Sequence, residues 1–260
     1  NALAIVLYLR AERGSFAIAG VVAGALAAVL SPQAALAVSA ASVIVGTLAF
    51  TALPPARALR PDTQRASAGL LGALASPGVR TLVLTSLPAG IGIGICEVTV
   101  PAFSHAEGAA ATAGVLLALW SVGSATGGLA YGALHHRPPL QRVHIAVTAA
   151  LPVCLLPLAA APSVAVMALL MIPAGMFVAP LLATRNELIG WVAPAGARTE
   201  AYTWPVTAFV GGIAIGSALA GTIVEEASWR TAFLVAAGFA AGGTVVAVSR
   251  RATVSRARVA

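Results

Sequence analysis

Apolar runs of about twenty residues, separated by short polar gaps, leave this chain few folds to adopt. Seven such runs cover roughly residues 34–53, 81–103, 110–133, 143–160, 163–184, 200–223 and 231–249, and a weaker eighth covers Phe16 to Leu30. A helix rising ~1.5 Å per residue needs about 20 residues to cross the ~30 Å hydrocarbon layer of a bilayer. In lipid every backbone N–H and C=O needs a partner inside the protein, so spanning segments are helices or closed barrels. Runs this long predict helices. The expected fold class is all-α, a polytopic transmembrane bundle of about 7–8 spans.

The scarcity of charge agrees. Only 9% of residues are charged, against about 25% in an ordinary soluble domain, and the mean hydropathy is +0.95. So few charges cannot coat a water-facing surface, and the lipid bilayer is the expected partner. The net charge of +7 comes from 15 arginines and no lysine. They lie in the gaps between apolar runs rather than on one helix face or in a basic domain, which argues against a nucleic-acid partner. Cys96 and Cys154 fall inside apolar runs without CxxC spacing, so neither a metal site nor a cofactor is expected.

Arginine placement tests the span count. Arg57, Arg60, Arg65, Arg80, Arg137, Arg142, Arg185, Arg198, Arg250, Arg251, Arg256 and Arg258 fall in alternate gaps, while the intervening gaps hold Arg230 alone. The positive-inside rule makes the rich side cytoplasmic and places the C-terminus there. Before residue 54 the alternation falters: Ser31-Pro32-Gln33 has to be an external turn, and the run 16–30 has to rise from Arg10 to Arg13. A join or trim near Ala27 to Ser31 reconciles these. A start at Asn1 without a signal-peptide pattern is expected of a chain that begins partway through a longer protein. The expected organisation is 1–53 as the remnant of an N-terminal membrane half and 54–80 as a cytoplasmic linker with one interfacial turn. Residues 81–249 then form a six-helix half, and 250–260 a basic cytoplasmic tail.

Three features resemble the major facilitator superfamily, in particular its bacterial efflux branches. One is the six-span block after a basic loop. Another is Gly132-Ala-Leu-His-His-Arg-Pro-Pro-Leu-Gln-Arg142, similar to the family's G-x-L-x-D-R-x-G-x-x-R loop. It keeps Gly132, Leu134, Arg137 and Arg142, with His136 in place of the aspartate and Pro139 in place of the second glycine. The third is Ala195-Gly196-Ala-Arg-Thr199-Glu200-Ala-Tyr-Thr-Trp204, leading into a glycine-rich span. The resemblance implies two six-helix halves with most of the first missing here, a location in a bacterial inner (plasma) membrane, and a loop role for Gly132, Arg137 and Arg142.

Glu97 is the foremost candidate for chemistry. It lies mid-span with no other charge between Arg80 and Glu107. An acid at a helix centre costs about 2.5–3.5 kcal/mol on insertion scales, so it faces a cavity or a partner. Glu97 is expected either to bind the coupling proton or to serve as a structural carboxylate tied to a neighbouring helix. Trp120, near the middle of its own span, either lines a substrate path or packs in the core. Glu200 reads as a gating ion-pair partner of Arg185 or Arg198, or as a first-turn acid behind a Thr199 N-cap. Gly90, Gly92 and Gly94 either loosen their span or let helices approach, and Gly123, Gly127, Gly128, Gly132, Gly212 and Gly216 read as close-packing positions. His135, His136 and His144 are expected at the surface, and Asn186 and Glu187 in local polar contacts.

The expected function is secondary active transport of an unidentified small organic solute, by proton-coupled efflux. The alternatives are a truncated chain that inserts without transporting and, less favoured, a membrane-embedded enzyme. The last would need clustered histidines and carboxylates, a Ser/His pair or HExxH within the spans, and the sequence holds none of these there.

Overall fold

The computed structural model describes residues 72–133, 139–194 and 196–255, together with Ala37, Ala40, Ala41, Ile44, Val45, Gly46 and Leu48. The chain divides into two compact units, Asn1–Gln64 and Arg65–Ala260. In the first, the described positions are all helical and fall within the run expected to span at 34–53. The weaker run 16–30, the join near Ala27 to Ser31 and most of the linker lie outside the described residues.

The second unit is helical throughout its described elements and contains six helices long and apolar enough to cross a membrane. These are α1 (Pro77–Ala106), α2 (Ala110–Ala133), α3 (Leu140–Ala160), α4 (Val164–Val192), α5 (Arg198–Glu226) and α6 (Trp229–Ser249). Each corresponds to one expected run. The largest departure is in α4, which continues through Arg185 to Val192 where a polar gap was expected.

Local chemistry sets the helix ends. Ser76, Ser163 and Ser228 cap α1, α4 and α6, accepting the N–H of Val79, Val166 and Thr231 respectively, and Pro77 occupies the first turn of α1 where its missing N–H is harmless. Thr199 is not the cap of α5, as the sequence had indicated: the helix starts at Arg198, behind Ala197, with no side-chain cap. Gly196, at φ +87°, makes the left-handed turn that leads into it. Within α4 the regular helix breaks at Phe177, between Val164–Met176 and Val178–Val192. Pro180 supplies the cause, because it has no N–H to return to the carbonyl of Met176.

Packing does not follow chain order. α1, the most buried of the six, lies against α5 and α6, while α2 packs on α4 and α3 on α6 and α4. Exchange of α1–α3 with α4–α6 turns the α1/α5 pair into α4/α2 and α1/α6 into α4/α3, and leaves α3/α6 unchanged. The pairing is therefore symmetric under that exchange, and because three crossings carry the chain from one end of the bundle to the other, the exchanged helices run in opposite directions.

Both exchange-related crossings rest on glycine. A Cβ on Gly90 or Gly94 of α1 would collide with the carbonyls of Phe209 or Ile213 of α5, and one on Gly212 or Gly216 with those of Leu87 or Ile91. Between α2 and α4, Gly123 and Gly127 meet the carbonyls of Ile172 and Met176, and Gly175 meets that of Trp120. The glycines thus serve contact between helices within the unit.

The helix ends gather as the arginine alternation requires. At one end Ser76 Oγ donates to Val192 O at 2.8 Å, and Arg250 Nε donates at 3.0 Å to Thr81 Oγ1, which lies 2.7 Å from Thr253 Oγ1. At the other, the Phe103 and Trp229 rings meet edge to face at 4.8 Å, with Arg230 4.2 Å above Trp229. Arg80, Arg198 and Arg250 therefore belong to one end and Arg230 to the opposite one.

Candidate functional site

Two polar features interrupt the apolar spans. The first is a concavity of about 250 Å³ between α1 and α2, lined by Cys96, Glu97, Leu117, Trp120 and Ser121. It brings together the two residues singled out for a transport path. Glu97 is exposed, and no hydrogen-bond donor among the described residues reaches its carboxylate, so the tie to a neighbouring helix is not seen. Trp120 is partly buried: its ring borders the concavity, and its backbone carbonyl receives Gly175 across the α2/α4 crossing. A glycine at 175 is what lets α4 come close enough to hold Trp120 in place. Ser121, which the sequence did not mark, adds a hydroxyl already donating to Leu117 O at 3.0 Å.

The second feature lies between α1, α3, α4 and α5. His144, expected at the surface, is buried at 3% exposure, and its Nδ1 lies 2.8 Å from Thr184 Oγ1. Arg185, expected in a loop, is buried at 5% exposure, with its guanidinium 5.6 Å from the centre of the Phe209 ring. Each residue lies on a buried helical repeat. Leu140, His144, Val147 and Leu151 form one on α3, and Leu181, Leu188 and Ile189 carry another past Arg185 on α4, so the arginine is swept onto the inner face. That spacing was visible in the sequence, but the positive charge outweighed it. Arg185 donates through Nε and Nη2 to Asn186 Oδ1, both at 3.3 Å.

The remaining candidates sit elsewhere. Glu200 accepts from Ala73 N at 3.3 Å and from Trp204 Nε1 at 3.1 Å. Among the described residues these are its hydrogen-bond partners, in place of a gating pair with Arg185 or Arg198, and they tie α5 to the turn before α1. Glu200→Ala should lower stability by roughly 1–2 kcal/mol, as loss of hydrogen bonds to a charged group does, and Glu200→Gln by less. Chemical denaturation in detergent checks this, and a larger effect on transport than on stability would restore the gate. Gly132 and Arg142 are exposed at the ends of α2 and α3, and Arg137, His135 and His136 lie outside the described residues. Glu187 accepts from Tyr131 OH at 3.1 Å, joining α4 to α2.

No group of three His, Cys, Asp or Glu among the described residues could hold a metal ion. No known family, curated protein or solved structure matches this chain.

Proposed function

We propose that the chain is part of a secondary active transporter of the major-facilitator type, in which this six-helix unit forms one half and exports a small organic solute in exchange for protons. One observation carries the reading: Glu97 and Trp120, on separate helices, line the same concavity. A carboxylate within a span, unengaged by any donor among the described residues, is free to take up and release a proton. The neutral acid is the cheaper form to enclose in lipid, since an uncompensated charge there is costly. Closure of the site then favours a protonated Glu97, and opening to water favours its release. The symmetric pairing of α1–α3 with α4–α6 supports the same reading, since it is the pairing that inverted three-helix repeats give, and transporters built of such repeats move packed helices as bodies around a site near the bilayer midplane. The glycine crossings supply the rigidity. On this reading the arginine-rich end is cytoplasmic in a bacterial plasma membrane.

The experiment is proton-gradient-driven export of a dye panel from vesicles, comparing the chain with Glu97→Gln. Gradient-dependent export lost in the variant is the expected result. Export unchanged in the variant overturns the role of Glu97. No export by correctly inserted wild type, across the panel, replaces the transporter with a chain that inserts without transporting.

A further inference from the structure

His144 and Arg185 line one void, and each has a buried polar atom with no partner, His144 Nε2 and Arg185 Nη1. The volume of the void is about 10 Å³, and Thr85, Ser86 and Ala89 of α1, Leu181 and Leu182 of α4 and Phe209 of α5 complete its wall. That is room for one water-sized occupant. It shares no lining residue with the Glu97 concavity.

The Thr184 hydroxyl has a single hydrogen and three acceptors in reach, the carbonyls of Pro180 and Leu181 at 2.9 and 3.1 Å and His144 Nδ1 at 2.8 Å. In the tautomer this site requires, that hydrogen goes to a carbonyl and His144 donates from Nδ1 to the threonine oxygen. In the neutral ring Nε2 is then a bare lone pair beside a guanidinium, and no carboxylate among the described residues pairs with that guanidinium. A water would satisfy both, donating to Nε2 and accepting from Nη1. An anion would satisfy Nη1 alone and be repelled by the lone pair, unless Nε2 also carried a hydrogen. With Nδ1–H committed to Thr184, that hydrogen makes the ring an imidazolium.

We infer that this void is a small-anion site, in which each monovalent anion held by Arg185 enters with one proton on His144 Nε2. The anion is a free halide, because the carboxylate of an organic solute exceeds a void with room for one water-sized occupant. Joint entry leaves the buried charge unchanged, whereas either ion alone alters it in a medium where uncompensated charge is costly. Arg185 is the charged group facing His144 from α4. α1 presents Thr85 and Ser86, and α5 presents Phe209. α6, held to α3 by Thr244 Oγ1 donating to Thr148 O at 3.0 Å, has no titratable residue from Thr231 to Ser249. The inference does not rest on the transport reading.

The test uses the purified full chain in detergent or nanodiscs, exchanged into gluconate. Chloride and acetate are titrated separately, with binding followed by calorimetry and proton uptake by a pH indicator in weak buffer. One proton taken up per anion bound is expected, with affinity rising up to tenfold per unit fall in pH while the ring is mainly neutral. Binding of chloride without acetate is expected, and acetate bound as tightly as chloride overturns the assignment to this void. His144→Gln should abolish the proton uptake and its pH dependence, and Arg185→Gln the binding itself. Arg185→Lys, which keeps the charge, should retain weakened binding if the glutamine variant fails to fold. Binding without proton uptake overturns the coupling, and no binding of either anion between pH 5 and 8 overturns the site.

Discussion

Gly127→Ala and Gly94→Ala, each adding one methyl group, should destabilise the bundle by about 3 kcal/mol, at the upper end of what overpacking costs. The new carbon would meet a backbone carbonyl, of Met176 in one case and Ile213 in the other. A carbonyl in a helix cannot swing aside as a side chain can, so the whole crossing must open. Gly211 and Gly242 serve as controls, since nothing lies within 4 Å of a Cβ built on them. Alanine there should be neutral or stabilising by up to about 1 kcal/mol, because it is the better helix former. Thermal unfolding of the four variants in one detergent separates the cases. Equal stability in all four would mean that the crossings are loose and that glycine at 94 and 127 serves flexibility.

Arg185→Met should do the reverse of most core substitutions and raise stability, by about 1–4 kcal/mol in anion-free buffer. Replacing a whole buried ion pair with apolar side chains of similar volume is often stabilising by such amounts, and a buried charge without an ion partner has less to lose. Here the charge has no carboxylate partner among the described residues, and the hydrogen bonds lost run to Asn186, which is exposed and can turn to water. Unfolding midpoints in gluconate measure the gain, and any rise in midpoint that chloride gives the wild type should vanish in the variant. A loss of stability comparable to cutting a core leucine, about 2–5 kcal/mol, would instead make Arg185 a structural tie between α4 and α5. The stabilised outcome is what a group retained for binding gives, since function tolerates a cost that folding alone would remove.

Glu97 and Trp120 were legible as candidates because each stands out against its own span: one by charge, the other by size and polarity in an apolar run. Their convergence was not legible, because it depends on how α1 and α2 are turned about their axes. Those angles are set by the glycine contacts with α5 and α4. His144 and Arg185 show the opposite failure. Each reads as polar and near a helix end; the buried repeat of Leu140, Val147 and Leu151 carries His144 inside, and the continuation of α4 to Val192, packed through Leu188 and Ile189, carries Arg185.

By itself the sequence determined that the chain belongs in lipid, where its six described spans lie, and which ends of them share a side. These follow from solvent, since apolar length and charge placement act one segment at a time, whatever the neighbouring helices do. The tertiary structure alone decided the pairing of α1 with α5 and α2 with α4, the shared concavity of Glu97 and Trp120, and the burial of His144 with Arg185. Such features arise between segments distant in sequence, from whether two backbones can touch. A pattern read along one helix does not contain the shape of the helix it will meet.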